Sequence, residues 1–183
     1  MNPISNKYIA FLRGINVGGH HKVPMKDLAL YMEQLGFTNV ITILNSGNII
    51  FDSNENNIKV IEDQLEKQLQ LKFGFPIPTI VQSAENLLKL YQEAPFKQHV
   101  PTKDTRFYIT FVKDNPSTQI ELPWVSQDSS FQVLTYKNKI VSSILDVSKM
   151  SSPKGMEILE KSFGKNITTR NLNTIEKLVA KFK

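Results

Sequence analysis

The sequence predicts an α+β fold of two tandem ferredoxin-like subdomains, each a split β-α-β unit, with a C-terminal helix. Three observations support this prediction. The chain has 183 residues, which at about 150 residues per domain is enough for one large domain or two small subdomains. Strand-like and helix-like apolar patterns follow one another in the order β-α-β-β-α-β. Residues 94–104, with two prolines and no periodicity, then separate this half from a second half of similar pattern.

The first half opens with a strand and an amphipathic helix. Residues 7–14 are apolar on both alternating sets, as expected of a strand that is covered on both faces. Pro24 fits the first turn of a helix, and Gly36 fits its end. The apolar stripe of this helix consists of Met25, Leu28, Met32 and Leu35.

A hairpin and a second helix follow. Residues 40–44 and 49–52 are short β-branched runs, and the Asn-Ser-Gly-Asn segment between them has the composition of a tight turn. Ser53 or Asn54 is the predicted N-cap of the next helix, which ends near Gly74. The apolar stripe of that helix consists of Ile58, Ile61, Leu65 and Leu69. The spacing of these residues therefore predicts that one helix face packs against the sheet.

A fourth strand and a short helix complete the first half. Residues 79–82 predict the strand, and Ser83 is the predicted cap of a short helix that carries Leu87, Leu88 and Tyr91. We therefore predict an N-terminal subdomain over residues 1–94, followed by a linker.

The second half repeats this pattern. Residues 106–112 predict a strand, and Asn115-Pro116 predicts the start of a short helix. Residues 131–135 and 140–145 predict a second hairpin. The linker is therefore placed at residues 95–104 and the C-terminal subdomain at residues 105–183.

Two helices with a short strand between them end the chain. Residues 152–153, Ser-Pro, predict the start of a helix that Gly164 ends. Residues 166–167 predict the short strand, and Thr168 or Thr169 is the predicted cap of the last helix. The apolar stripe of the last helix consists of Leu172, Ile175, Leu178 and Val179.

Composition limits the functional classes. The chain carries 22 Lys and Arg against 17 Asp and Glu, and its charge of +5 favours anionic partners, although a solubilising surface is the alternative. It has no cysteine, which excludes disulfides, thiolate metal sites and thiol nucleophiles and agrees with a cytosolic environment. The polar N-terminus and the lack of any apolar run near the ~20 residues that span a bilayer predict a cytoplasmic protein without a membrane partner.

The split β-α-β topology predicts that three segments of the first half meet at one sheet edge: residues 13–22, 45–48 and 73–78. This edge is rich in glycine, amides and cations. Its glycines permit close backbone approach, and a helix N-terminus beneath it attracts anions. We therefore expect a ligand-binding edge built from Arg13, Gly14, Asn16, Gly18, Gly19, Asn45, Ser46, Gly47 and Asn48. The alternative is that these residues only form tight turns.

The same topology in the second half predicts a second edge, where residues 146–154 meet residues 168–171. We expect Lys149, Ser151, Lys154, Thr169, Arg170 and Asn171 to be neighbours there. A helix N-terminus facing lysine and arginine is a second candidate anion site. The alternative is that the threonines serve only as helix caps.

Most catalytic and cofactor motifs are missing. Residues 13–19 match neither a P-loop nor the G-x-G-x-x-G dinucleotide fingerprint, and we predict no cofactor. His20 and His21 are adjacent and His99 is distant, so we predict no metal site. Ser151 and Lys154 fit S-x-x-K, which alone is weak support for a nucleophilic serine.

A resemblance to a known family agrees with these candidates. Residues 12–25 (LRGINVGGHHKVPM), 44–51 (LNSGNIIF) and 168–174 (TTRNLNT) resemble an uncharacterised, largely bacterial family, domain of unknown function 1697. The resemblance covers essentially the whole chain, and Leu172 stands where tryptophan is common in the family. It implies a two-subdomain α+β protein with no established activity or cofactor. It also implies that the motif residues at the two predicted edges are the positions to test.

The sequence therefore predicts a protein that binds a small anion bearing a phosphate, such as a nucleotide or a sugar phosphate. One alternative is a nucleic-acid-binding module, because Phe11 and Phe51 lie on the strands whose aromatic residues stack bases in RNA-recognition domains. A second alternative is a hydrolase or transferase that uses Ser46, Ser151 or an Arg13-centred site. The substrate, the enzyme status and the oligomeric state do not follow from the sequence.

Overall fold

The computed structural model describes residues 6–116 and 120–182. It divides the chain into two compact units, unit 1 up to Leu88 and unit 2 from Lys89 to Lys181. Each unit contains one antiparallel sheet with helices, so the α+β class is confirmed. The domain limits predicted at residues 94 and 105 stay predictions.

Unit 1 contains a four-stranded sheet. Its elements are β1 (Lys7–Leu12), α1 (Met25–Gln34), β2 (Thr38–Ile43), β3 (Asn48–Asp52), α2 (Ile58–Phe73), β4 (Thr79–Ser83) and the start of α3 (Ala84–Glu93), which continues into unit 2. The strand order is β2-β3-β1-β4, and all neighbours are antiparallel. The central strand β1 is buried from its second residue to its last, as its apolar pattern predicts.

The core of unit 1 lies between this sheet and the apolar stripes of α1 and α2. The buried helix residues are Leu28, Met32, Ile61, Leu65 and Leu69, and they cluster with Tyr8, Ala10, Leu12, Ile49 and Phe51 of the sheet. Each of these side chains is at most 4% exposed. Burial of this apolar area, at about 25 cal/mol per Å², is the main favourable term in folding such a unit.

Helix α2 begins later than the sequence predicts. Its N-cap is Asn57, whose side-chain oxygen accepts from the backbone N–H of Lys59 at 3.0 Å. Ser53 instead accepts from the N–H of Glu55 in the preceding turn, so the prediction of Ser53 or Asn54 as the cap was wrong. The predicted cap of α3 is confirmed, because Ser83 Oγ accepts from the N–H of Asn86 at 3.2 Å.

The outer edge of β4 is covered by two carboxylates of α2. Glu62 accepts from the N–H of Val81 and Glu66 from that of Thr79, both at 2.9 Å. Glu62 is only 4% exposed. These backbone N–H groups would otherwise be open to pairing with another strand, so the two glutamates both satisfy the edge and block it.

Unit 2 contains a five-stranded sheet. After the end of α3, its elements are β5 (Thr105–Val112), β6 (Trp124–Val125), β7 (Phe131–Lys137), β8 (Ile140–Asp146), α4 (Ser152–Phe163), β9 (Ile167–Asn171) and α5 (Leu172–Val179). The order is β6-β7-β8-β5-β9 with antiparallel neighbours. The predicted hairpin is confirmed, and Asn138 and Lys139, both with positive φ, form its turn.

One face of this sheet packs against α4. Leu159 and Phe163 of α4 cluster with Phe131, Val133 and Leu145 of the strands. A Cβ on Gly155 would lie 3.2 Å from the Phe131 ring, so a small residue at this position permits the close approach of helix and sheet.

Two predictions for unit 2 need correction. The strand predicted at residues 166–167 extends to Asn171, because it pairs with β5 over five residues. Asn171, rather than Thr168 or Thr169, therefore caps α5, and it accepts from the N–H of Thr174 at 2.9 Å. Asn115 and Pro116 are not helical, and residues 117–119, where the predicted short helix would continue, lie outside the described residues.

Within the described part of the chain, no helix combines the length and the apolar character needed to cross a membrane.

Asp128 in the turn before β7 gives a pH-dependent prediction. Its Oδ1 accepts from Ser130 Oγ at 2.6 Å, Ser126 Oγ at 2.7 Å and the N–H of Ser130 at 3.1 Å. These bonds, led by the Ser130 hydroxyl, lower the pKa of Asp128 from 3.8 to about 2. Because the folded pKa is the lower one, the stabilisation is present above pH ~4 and is lost as the pH falls towards 2.

A carbon-13 NMR titration of the carboxyl group should therefore give a pKa of about 2 for Asp128. Ser130→Ala should raise this pKa because it removes the strongest donor. Ser129→Gly is the control, since Gly accepts the φ of 56° at that position and leaves the three donors in place. An ordinary pKa in the unmodified protein would contradict the prediction.

Candidate functional site

The three segments that the sequence places at one edge of unit 1 do meet. We call residues 13–22, 45–48 and 73–78 the first rim. Hydrogen bonds from the end of β1 and the loop after it reach both other segments: Leu12 N to Gly47 O (2.8 Å), Arg13 N to Pro78 O (2.9 Å) and Asn16 Nδ2 to Asn45 O (2.8 Å). The end of β1 is therefore tied to the hairpin turn on one side and to the entry of β4 on the other.

Asn16 is the principal tie within the first rim. Its Nδ2 donates to Val23 O at 3.0 Å and to Asn45 O at 2.8 Å, and its Oδ1 accepts from Val23 N at 2.9 Å. Its φ of 56° is left-handed, a conformation that asparagine tolerates better than most residues. One side chain thus closes the loop before α1 and attaches it to the hairpin turn.

The hairpin turn itself depends on Gly47 and Asn48. Gly47 has a φ of 74°, and a Cβ there would lie 2.7 Å from Leu12 Cβ and 2.8 Å from Ile15 Cδ1. The fully buried Asn48 donates from Nδ2 to Ile43 O at 2.9 Å and to Ser46 Oγ at 3.0 Å. Both residues therefore serve the turn.

The tip of the loop is a narrow turn. Val17 and His20 are bridged, with His20 N donating to Val17 O at 3.1 Å. Gly18 and Gly19 between them have φ values of 59° and 79°, the signs that a mirror-image turn of this kind requires. Val17 at this tip is 69% exposed, so the turn projects into solvent.

His21 attaches this loop to the third segment of the rim. Its ring stacks on Phe75 with 4.4 Å between centroids and an interplanar angle of 16°. Its Nδ1 lies 3.1 Å from the carbonyl oxygen of Gly14. The stacking on Phe75 could not be predicted, because it joins residues more than 50 positions apart and leaves no local pattern.

The charge of the first rim is of one sign. Its segments contain Arg13, His20, His21 and Lys22 and no aspartate or glutamate. Both histidines and Lys22 are exposed, and Arg13 is half-buried. Helix α1 begins directly after this loop at a proline cap, with no side chain capping its first turn. The positive end of the helix dipole therefore adds to the same local potential.

The second predicted edge is arranged differently from the prediction. Thr169 and Arg170 lie in β9, so their side chains point to opposite faces of the sheet. Thr169 Oγ1 meets Thr110 Oγ1 at 2.8 Å on the face that α4 covers, whereas Arg170 donates to Thr168 Oγ1 at 2.8 Å on the other. The strand therefore separates residues that a helix N-terminus would have brought together.

The loop before α4 provides the remaining residues of that edge. Lys154 is exposed in the first turn of α4, and Lys149 lies 3.9 Å from the carboxylate of Asp146. The hydroxyl and N–H of Ser148 lower the pKa of Asp146, and Lys149 adds to this effect. Ser151 caps α4 by position, without a side-chain hydrogen bond to the helix.

Two further observations concern RNA binding and metal binding. Phe11 and Phe51 have no exposed surface, so they cannot stack on bases as they would in an RNA-recognition domain. Among residues 6–116 and 120–182, no group of three or more His, Asp or Glu side chains is arranged to hold a metal ion.

Comparison with known proteins finds a matching family and a similar solved structure. The profile of a family described as "Protein of unknown function (DUF1697)" matches residues 5–140. The structure of the conserved bacterial protein SP0830 from Streptococcus pneumoniae is similar, with a TM-score of 0.69 and 23% sequence identity over 97% of this chain and 98% of that chain. At this identity the likeness shows a shared fold. No curated protein matches the sequence.

The hairpin turn gives a stability prediction. Gly47→Ala should destabilise the protein by about 2–4 kcal/mol, because it combines left-handed strain with overpacking against Leu12 and Ile15. Gly19→Ala is the control, since it has the same sign of φ and no atom within 4 Å of the added Cβ. In urea unfolding, Gly19→Ala should lower the free energy of unfolding by less than Gly47→Ala does. Equal decreases in the two variants would contradict the packing argument.

Asn16 gives a second prediction. Asn16→Asp keeps the size of the side chain but replaces a double donor by an acceptor that faces two carbonyl oxygens. We expect the free energy of unfolding, measured in urea, to fall by about 2–3 kcal/mol. Asn45→Asp adds the same charge on the neighbouring exposed side chain, and we expect it to change stability by less than about 0.5 kcal/mol. Similar losses in both variants would mean that charge, and not the lost donors, is responsible.

Proposed function

Because the chain belongs to the DUF1697 family of proteins of unknown function, its own geometry has to indicate its role, and we propose that the first rim binds a small phosphate-bearing anion. The proposed ligand is a nucleotide or a sugar phosphate. One observation carries the proposal: three hydrogen-bonded segments gather four basic side chains and no carboxylate.

The chemistry of these side chains suits a phosphate group. The Arg13 guanidinium presents a planar fork of donors that matches two phosphate oxygens. His20 and His21 add ring N–H donors, and Lys22 adds an ammonium group. The nearest acidic residue along the loop is Asp27, in the first turn of α1, and the adjacent Lys26 offsets its charge.

The backbone of the rim supports the same proposal. The ties made by Asn16 and Gly47 hold the loop in place, so little conformational entropy is lost when a ligand is bound. Gly18 and Gly19 carry no side chain that would keep a phosphate away from the exposed tip. By residue type alone these glycines could serve the turn only; the surrounding charge favours a binding role.

The second edge is a weaker candidate for the same chemistry. Lys154 and Arg170 retain their positive charges, but Thr169 and Arg170 face opposite sides of the sheet. We therefore propose the first rim as the primary site and treat Arg170 as the comparison position in the experiment.

We also propose that both units are ferredoxin-like. In unit 1 the order β2-β3-β1-β4 and the β-α-β-β-α-β sequence of elements support this. In unit 2 the strands β7-β8-β5-β9 have the corresponding order, with α4 before the last strand. The short strand β6 occupies part of the connection in which the first helix of that fold would stand.

The binding proposal is tested by thermal denaturation with ATP, glucose 6-phosphate and a 12-nucleotide single strand, each at low and high salt. A ligand at 100 times its Kd stabilises by about 2.7 kcal/mol, which corresponds to roughly 5–10 °C for a protein of this size. We expect a shift with one of the phosphate compounds that persists at high salt. No shift with either compound would contradict the proposal.

Charge reversals locate the site. Arg13→Glu should abolish the shift, whereas Arg170→Glu should leave it in place, with Lys161→Glu on the exposed end of α4 as the control for net charge. Loss of binding only in Arg170→Glu would move the site to unit 2. A shift seen only with the oligonucleotide, and only at low salt, would favour nucleic-acid binding, because that affinity falls steeply with salt concentration.

A further inference from the structure

Unit 2 contains a cavity of about 250 Å³ on the side of its sheet away from α4. Its walls come from the end of α3, the turn after that helix, β5 and the start of α5. The apolar side chains that line it include Leu90, Phe96, Ile109, Leu172 and Ile175. Two residues with polar ends, Tyr91 and Lys97, also line it, and both are exposed. The cavity thus has an apolar interior and a polar opening.

The walls of the cavity are well fixed. Ile109 and Ile175 are each 1% exposed, and they belong to a strand and a helix of the unit. Phe96 is 8% exposed, and its ring packs against Phe107 with 4.7 Å between centroids. The segment predicted as a linker is therefore anchored in unit 2 at this residue, and the cavity does not depend on a loose loop.

The turn that forms the opening is also held in place. Lys97 N donates to Ala94 O, and His99 N donates to Phe96 O, each at 2.9 Å. Ala94 has a φ of 47°, an uncommon conformation for a residue with a side chain. The backbone bends sharply there, and residues 94–97 of this turn line the cavity.

The volume limits the size of an occupant. An engineered apolar cavity of about 150 Å³ holds a benzene molecule, whereas pockets for drug-sized ligands begin near 300 Å³. A volume of 250 Å³ therefore suits a single aromatic ring with a short chain, or a short alkyl chain.

The charge at the opening indicates the chemistry of the ligand's polar end. Lys97 is the charged residue that lines the cavity. Glu93, at the end of α3, is paired with Lys137. An anionic group at the end of the chain would be drawn to the Lys97 ammonium.

From these observations we propose that unit 2 binds a small amphipathic carboxylate, with its ring or alkyl chain in the cavity and its carboxylate at Lys97. The apolar part supplies most of the affinity by leaving water, and the charge pair orients the molecule. This site is separate from the first rim in residues and in ligand chemistry, so each proposal can fail without the other.

The test uses the full chain labelled with nitrogen-15 and 4-phenylbutanoate as the probe, with 4-phenylbutan-1-ol as its uncharged counterpart. We expect saturable shifts of the amide signals of the lining residues, such as Ile109 and Ile175, with a Kd of about 1 mM or tighter. Shifts without saturation up to 10 times that concentration, or shifts scattered over both units, would overturn the proposal.

Two variants separate the parts of the site. Leu172→Trp fills the cavity and should raise the Kd of 4-phenylbutanoate at least about 10-fold. Leu71→Trp, at a residue 71% exposed on α2, should leave this Kd unchanged. Lys97→Gln should raise the Kd of 4-phenylbutanoate about 3-fold and leave the Kd of 4-phenylbutan-1-ol unchanged. This variant keeps the test valid if the tryptophan variant does not fold. Equal effects on acid and alcohol, or none, would overturn the assignment of the carboxylate to Lys97.

Discussion

The side-chain amide of Asn16 holds together the part of the molecule on which the candidate site depends. It bonds to both backbone groups of Val23 and to the carbonyl of Asn45, so one residue closes the loop before α1 and joins it to the hairpin turn. Gly47 lets the hairpin turn lie close to the end of β1, because any side chain at this position would collide with Leu12. The bond between Asn16 and Asn45 depends on this close approach. The loop is thus fixed by tertiary contacts, and its basic residues have a defined position relative to α1.

The two units present surfaces of different chemistry. The first rim is polar, carries cations and exposes backbone at a glycine turn, and the proposed anion site rests on these properties. The cavity of unit 2 is apolar inside and has a single lysine among its lining residues. Glu62 and Glu66 have a third, structural role, since they satisfy the outer edge of β4 and keep it from pairing with another strand. Charged residues in this protein therefore form the proposed binding surfaces in some places and stabilise a sheet edge in another.

Much of the fold could be predicted because it depends on neighbours in sequence. The stripes of α1 and α2, the fully buried β1 and both hairpins follow from apolar periodicity and turn composition, and all were confirmed. Helix starts were harder to predict. Asn57 and Asn171 cap their helices in place of nearby serine, threonine and asparagine residues, because strand pairing or a preceding turn already uses the backbone at the earlier positions. Several residues could cap, and only long-range pairing selects one.

The sequence by itself determined the order of the elements, the absence of thiol chemistry and the concentration of glycine, asparagine and cations in the segments of the first rim. The tertiary structure decided which of these residues meet. Asn16 reaches a carbonyl 29 residues away, His21 stacks on Phe75, and Thr169 and Arg170 separate onto two faces of a strand. The reason is that periodicity and turn formation involve residues a few positions apart, whereas side-chain partners and cavities are created by segments that folding brings together from distant parts of the chain.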